Sequence, residues 1–117
     1  MQVKECYAAM GGDYEGVMGR LLSEERVKKY LLKFLNDKSF ENLQTALAES
    51  NQEEAFRMAH TLKGVSQNLG FTRLFVSSDA LTEALRNELR EDAGALFCKV
   101  EADYRETVAA ISAMQAE

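Results

Sequence analysis

The sequence predicts an all-α protein: an antiparallel four-helix bundle over about residues 40–115, with N-terminal helices packed across it. Three observations carry that prediction. The 117-residue chain contains no proline, the residue that breaks a helix interior by removing a donor and clashing with the preceding turn. Ala, Leu, Glu, Lys and Arg dominate while β-branched residues are scattered, which keeps helix propensity high almost throughout. The breaks, Gly11-Gly12-Asp13, Asn36-Asp37-Lys38-Ser39, Ser50-Asn51, Gly70 and Glu91-Asp92, are short and turn-like, and short connections favour antiparallel neighbours.

Taken in order, the first helix is expected near residues 2–10 and the second near 14–21. A stronger third, about 24–36, follows Ser23 as N-cap and carries the stripe Val27, Tyr30, Leu31, Phe34 and Leu35. The fourth, about 40–49, places Phe40, Leu43 and Leu47 behind a Ser39 cap. The fifth opens on Asn51-Gln52-Glu53-Glu54, with the spacing of a capping box, and ends where Gly70 can turn left-handed. The sixth, about 72–89, shows Leu74, Ser78, Leu81, Leu85 and Leu89 at three-to-four spacing. The seventh, about 92–115, repeats it with Leu96, Val100, Tyr104, Val108 and Ile111. The whole reads as a single domain over 1–117, with covering helices over 2–36 and the bundle over 40–115.

Apolar residues make up 46% of the chain, enough for one core. The net charge of −5, from 14 basic and 19 acidic residues, argues against nucleic acid or an anionic membrane as the main partner, since both demand a basic surface. Cys6 and Cys98 lack metal-ligand spacing and a single histidine offers no second imidazole, so reduced thiols and a cytoplasmic setting are expected. No stretch has the apolar length of a signal peptide core or a spanning helix. Nothing demands a second subunit, so a monomer is expected.

The fifth helix carries the chemistry. At about 100° per residue, with His60 as zero, Ala55, Met58, Leu62, Val65 and Leu69 fall within about 40° of the opposite pole and form the expected core stripe. Lys63, Gly64 and Gln67 fall within about 60° of His60, which therefore faces solvent. Lys63 can bring an ammonium beside a phosphoryl group on the imidazole. Gly64 is costly in a helix interior, by roughly 1 kcal/mol relative to Ala. A side chain there would stand over the imidazole and obstruct a partner, so steric access is the reason read for it.

The run Ala59-His60-Thr61-Leu62-Lys63-Gly64, followed by Leu69-Gly70, resembles the signature of the histidine-containing phosphotransfer (HPt) family. The likeness extends more loosely over about residues 13–115, including Leu81-Thr82-Glu83-Ala84-Leu85-Arg86 in the bundle's third helix. It implies a phosphorelay shuttle in which His60 takes a phosphoryl group from the aspartyl phosphate of one receiver domain and hands it to an aspartate of another. The partners implied are response-regulator receiver domains, a hybrid histidine kinase, or both. No cofactor is implied for this chain, because Mg²⁺ would belong to the receiver's acidic site. An unperturbed imidazole, with pKa about 6.5, is mostly neutral near pH 7 and needs no special activation as nucleophile.

In one respect the sequence departs from the family pattern. Many members place Gln or Glu on the next helix to bond the non-reacting ring nitrogen, and by spacing that position is Thr82, whose side chain is short. Thr82, Gln67 or a water then has to orient the ring. For docking, Phe56, about 40° from His60, offers an apolar contact, as do Val17, Met18 and Leu21 if the N-terminal helices lie alongside, the other reading of these residues being that they cement the N-terminal helices to the bundle. Arg57 and Lys63 would meet a receiver's acidic rim, the other reading being charges that serve solubility alone.

Three other readings compete. The phosphoacceptor segment of a sensor kinase usually carries a proline soon after its histidine and adjoins an ATP-binding domain; this chain has neither, nor a GxxxxGK[ST] cradle, so it is not expected to be a kinase. A non-catalytic helical adaptor in which His60 is incidental is the alternative. An enzyme using His60 as general base fits less well, because an outward histidine on a convex bundle has no pocket to exclude water.

Overall fold

Helix ends fall largely where the sequence supplies caps. The structure, a computed structural model described over residues 2–116, has α1 (Val3–Met10), α2 (Tyr14–Leu21), α3 (Glu24–Phe34), α4 (Ser39–Ala48), α5 (Gln52–Leu69), α6 (Thr72–Leu85) and α7 (Ala93–Gln115). Ser23 accepts from the Arg26 N–H at 3.2 Å and Asn51 from the Glu54 N–H at 3.2 Å, so both expected N-caps form. The capping box at α5 is only half made, because the Glu54 carboxylate turns to Arg57 instead. Gly70, at φ 72°, closes α5 in the left-handed conformation that glycine adopts at least cost.

Three boundaries differ from expectation. Ser39 lies inside α4 rather than capping it; the Asp37 carboxylate takes the Ser39 N–H at 2.8 Å. The third helix ends at Phe34, with Leu35 and Asn36 in a turn. The sixth stops at Leu85, because Arg86 goes extended and Asn87 adopts φ 68°. Leu89, expected in the core stripe, is left 42% exposed beyond that turn.

Helices α4, α5, α6 and α7 pack in sequence, and α5 with α6 forms the most extensive pair. Their pairing runs antiparallel: Lys63 meets Asp79, Phe56 meets Arg86, and the Gln52 side-chain amide donates to the Leu85 carbonyl. At the far end of α5 the N-terminal helices close over the bundle. Tyr7 packs on Phe71, Phe71 on Phe34, and the Tyr7 hydroxyl donates to the Leu69 carbonyl at 2.6 Å. Arg20 donates to the carbonyls of Asn68 and Gln67. The last carbonyls of a helix lack intrahelical donors, and these two side chains supply them. Phe40 stacks on Tyr104 and Phe97, tying α4 to α7.

The core face of α5 is rotated from the expected one. Buried along it are Ala55, Ala59, Leu62, Ser66 and Leu69, while Met58 and Val65 are only half-buried. At about 100° per residue this shifts the face's centre by about 40° toward α6. The buried Ala59 and Ser66 on this rotated face have small side chains, and α6 in turn buries Ser77, Ser78 and Thr82, Ser77 on its side toward α7. Their hydroxyls bond back to carbonyls of their own helix, Ser77 and Ser78 to Leu74 and Thr82 to Ser78, so these polar groups enter the core satisfied.

Candidate functional site

His60 lies mid-helix on the exposed side of α5, with the buried Ala59 before it and the exposed Thr61 after it. One turn earlier, the half-buried Phe56 ring stacks against the imidazole at 6.0 Å between centroids and an interplanar angle of 16°. The Arg86 guanidinium lies over the other part of this aromatic platform, 5.1 Å from the Phe56 centroid. Among the described residues, no side chain or backbone group hydrogen-bonds the His60 ring nitrogens.

One turn later, Lys63 and Gly64 differ in what surrounds them. A Cβ at Gly64 would meet nothing within 4 Å. Close helix packing therefore does not explain this glycine, and the space beside His60 opens to solvent. The Lys63 ammonium is 2.9 Å from Asp79 Oδ1 on α6, with side chains 24% and 43% exposed respectively. Lys63 thus shares the His60 face but already has an anionic partner.

Two expected orienters of the ring are not placed to do so. Thr82 is fully buried and its hydroxyl donates to the Ser78 carbonyl at 2.6 Å. The spacing found the right level on α6 and the wrong face. Gln67 is exposed, but it stands two helical turns from His60, about 10 Å along the axis, beyond hydrogen-bond reach. Its own carbonyl receives Arg20.

What the sequence reading missed is an ionic stripe on α6. Asp79, Glu83 and Arg86 recur at spacings of four and three, the signature of one helix face. Seven residues back along α5 from Lys63 to Phe56 correspond to seven forward along α6 from Asp79 to Arg86, so Glu83 and Thr82 are level with His60. Of the two, Glu83 is exposed. It takes Arg86 in a two-pronged pair at 3.1 and 3.0 Å, and that hydrogen bond holds its carboxyl below the usual range. The 79–83–86 spacing was present in the sequence as a signal.

The expected docking residues divide. Val17 is fully buried and belongs to the core, so it offers no contact surface. Met18 and Leu21 are half-buried, packed on that core. Leu21 also lines a groove of about 360 Å³ with Arg20, Tyr30, Val65, Asn68 and Leu69, on a different side of α5 from His60. Arg57 is exposed and paired with Glu54 one turn earlier, an arrangement weak enough at the surface to exchange partners. Cys6 is buried and Cys98 exposed, and neither is in a disulfide. No helix among the described residues is long and apolar enough to cross a membrane.

A family model described as the Hpt domain matches residues 33–116. That span takes in the end of α3 and all of α4 to α7, and leaves α1, α2 and most of α3 outside it. No curated protein and no solved structure matches the chain.

Proposed function

The chain belongs to the Hpt domain family, whose members carry phosphoryl groups on histidine in phosphorelays, and from that premise we propose that His60 is the phosphoacceptor of a relay between receiver domains. The observation that supports it best is the pairing of an exposed His60 with an i+4 glycine that nothing in the fold requires. A helix-interior glycine costs roughly 1 kcal/mol. Open access to the imidazole is the return on that cost.

The neutral ring attacks phosphorus with the lone pair of its unprotonated nitrogen. The bond from phosphorus to the donor aspartate's oxygen breaks, its electron pair leaving on that carboxylate, and a P–N bond forms. No proton has to be removed beforehand. The ring's other nitrogen keeps its hydrogen, and the charge that develops is offset by nearby carboxylates. Glu83, level with His60 on the exposed side of α6, takes this orienting role directly or through water, in place of Thr82. The return transfer to a second aspartate reverses the same steps.

Such a transfer depends chiefly on alignment and charge stabilisation. Lys63 supplies a cation from this chain; the acceptor aspartate and the Mg²⁺ come from the receiver. The protein in this reading is a carrier without ATP chemistry of its own, acting as a monomer in the cytoplasm. Phe56, with Arg57 beside it, forms the contact surface around His60, and Met18 and Leu21 lie further off.

The test is incubation with a labelled phospho-receiver domain. Label should pass to this chain as an acid-labile, base-stable phosphoramidate, and His60→Gln should accept none. Equal labelling of that variant would refute the assignment of His60.

A further inference from the structure

Lys63 carries an anionic partner before any phosphoryl group arrives. Among the described residues, its contact with Asp79 is the ion pair that joins α5 to α6; the pairs at Lys38, Arg57, Arg86, Arg90, Lys99 and Arg105 are local along the chain. The pair is partly withdrawn from water, Lys63 being only 24% exposed. Partial burial strengthens a charge interaction relative to a fully solvated pair.

A phosphoryl group on His60 would bring up to two negative charges to the same face, one turn from the Lys63 ammonium. One cation then faces two anionic groups. Asp79 competes for the ammonium and repels the newcomer, and Glu83, one turn along α6, adds a further carboxylate only partly offset by Arg86. The unphosphorylated protein has a satisfied Lys63–Asp79 pair that the phosphorylated protein must share or give up.

We propose that Asp79 is a positioning residue that acts through Lys63, its carboxylate reserving the ammonium and so keeping the phosphoryl group on His60 easy to pass on. This rests on His60 being the phosphoacceptor. The consequence is a property of the equilibrium between carrier and receiver rather than of the chemical step alone. A carrier that held phosphate too firmly would not deliver it.

The experiment uses the full chain with a phosphorylated receiver domain, and measures the ratio of phospho-carrier to phospho-receiver at equilibrium. Asp79→Asn, nearly isosteric at a half-exposed position, should move that ratio toward the carrier by roughly two- to fivefold, the range of partly exposed ion pairs. The gain should shrink toward none when Lys63→Met is also present, and Asp79→Glu, which keeps the carboxylate, should stay near wild type. A receiver-free measurement accompanies it: acylation of Lys63 by a small amine-reactive ester, read by mass spectrometry, should be faster in Asp79→Asn. An unchanged or reversed ratio, an equal gain with and without Lys63, or unchanged Lys63 acylation would each overturn the role of Asp79 while leaving His60 labelled. Absence of label on wild-type His60 would overturn the phosphoacceptor reading and this proposal with it.

Discussion

Gly64 provides a separation of stability from function that few positions allow. The site is a helix interior where an added Cβ meets nothing within 4 Å. Replacing glycine by alanine there removes backbone freedom from the unfolded chain without a clash in the folded one. The expected gain is about 1 kcal/mol, which raises the melting temperature by about 3–6 °C for a chain of this size. Gly64→Gln should also stabilise, by somewhat less. Its side chain, however, tilts toward the helix N-terminus and extends over residue 60, the neighbour one turn before. Displacing a reacting phosphorus by about 1 Å costs on the order of a hundredfold in rate. We therefore expect Gly64→Gln to melt above wild type and to accept label from a phospho-receiver roughly 10- to 100-fold more slowly, with Gly64→Ala slowed only slightly. Thermal melts by circular dichroism and rapid-quench transfer assays measure the two quantities on the same samples. A loss of stability in Gly64→Ala would mean that the glycine serves the fold, and wild-type transfer by Gly64→Gln would refute steric access as its reason.

Three further outcomes are expected. Tyr7→Phe deletes the donor to the buried Leu69 carbonyl and should cost about 1–2 kcal/mol in chemical denaturation, whereas an unchanged midpoint would mean that water replaces the hydroxyl. Burial pushes the Cys6 thiol from its ordinary 9.0 up to about 11, and burial likewise raises the Tyr7 hydroxyl. Both groups hold their protons more tightly when folded, so stability is complete below pH 9.0 and falls as pH climbs through about 11; urea midpoints across that range should decline, less steeply in Cys6→Ala, and a flat profile would contradict the burial. Finally, Thr82→Val should leave phosphotransfer nearly unchanged while Glu83→Gln slows it, and the opposite ranking in the same assay would restore Thr82 as the orienting residue.

Most of the helices were legible in the sequence because their signals are local. Ser23, Asn51 and Gly70 act on backbone groups within four residues, so chain order alone reveals them. The errors arose where a partner helix decides. The buried face of α5 takes in Ala59 and Ser66, whose side chains are small, a property that a count of apolar residues overlooks. The same cause misplaced Thr82: linear spacing gives a residue's level on a neighbouring helix, but the side it faces depends on how the two helices are rotated. Val17 stood open between docking a partner and cementing the N-terminal helices to the bundle, because nothing in α2 alone distinguishes the two; its full burial settles it as cement. Lys63 was legible as a cation beside His60, but its engagement with Asp79 required knowing that residues sixteen positions apart sit across one interface.

Ala59, the residue just before His60, is fully buried on the inward face of α5. A larger side chain there would force α5 to shift or roll; alanine fits and fixes its bearing, and with it the direction in which the next Cα–Cβ bond leaves the helix. The imidazole is left with two side-chain torsions and a backbone already in its final shape. A visiting protein therefore spends none of its binding free energy on freezing a loop, and the entropy of alignment has been settled during folding. A short-lived encounter can be productive on such a surface, which suits a carrier that has to release one partner in order to meet the next.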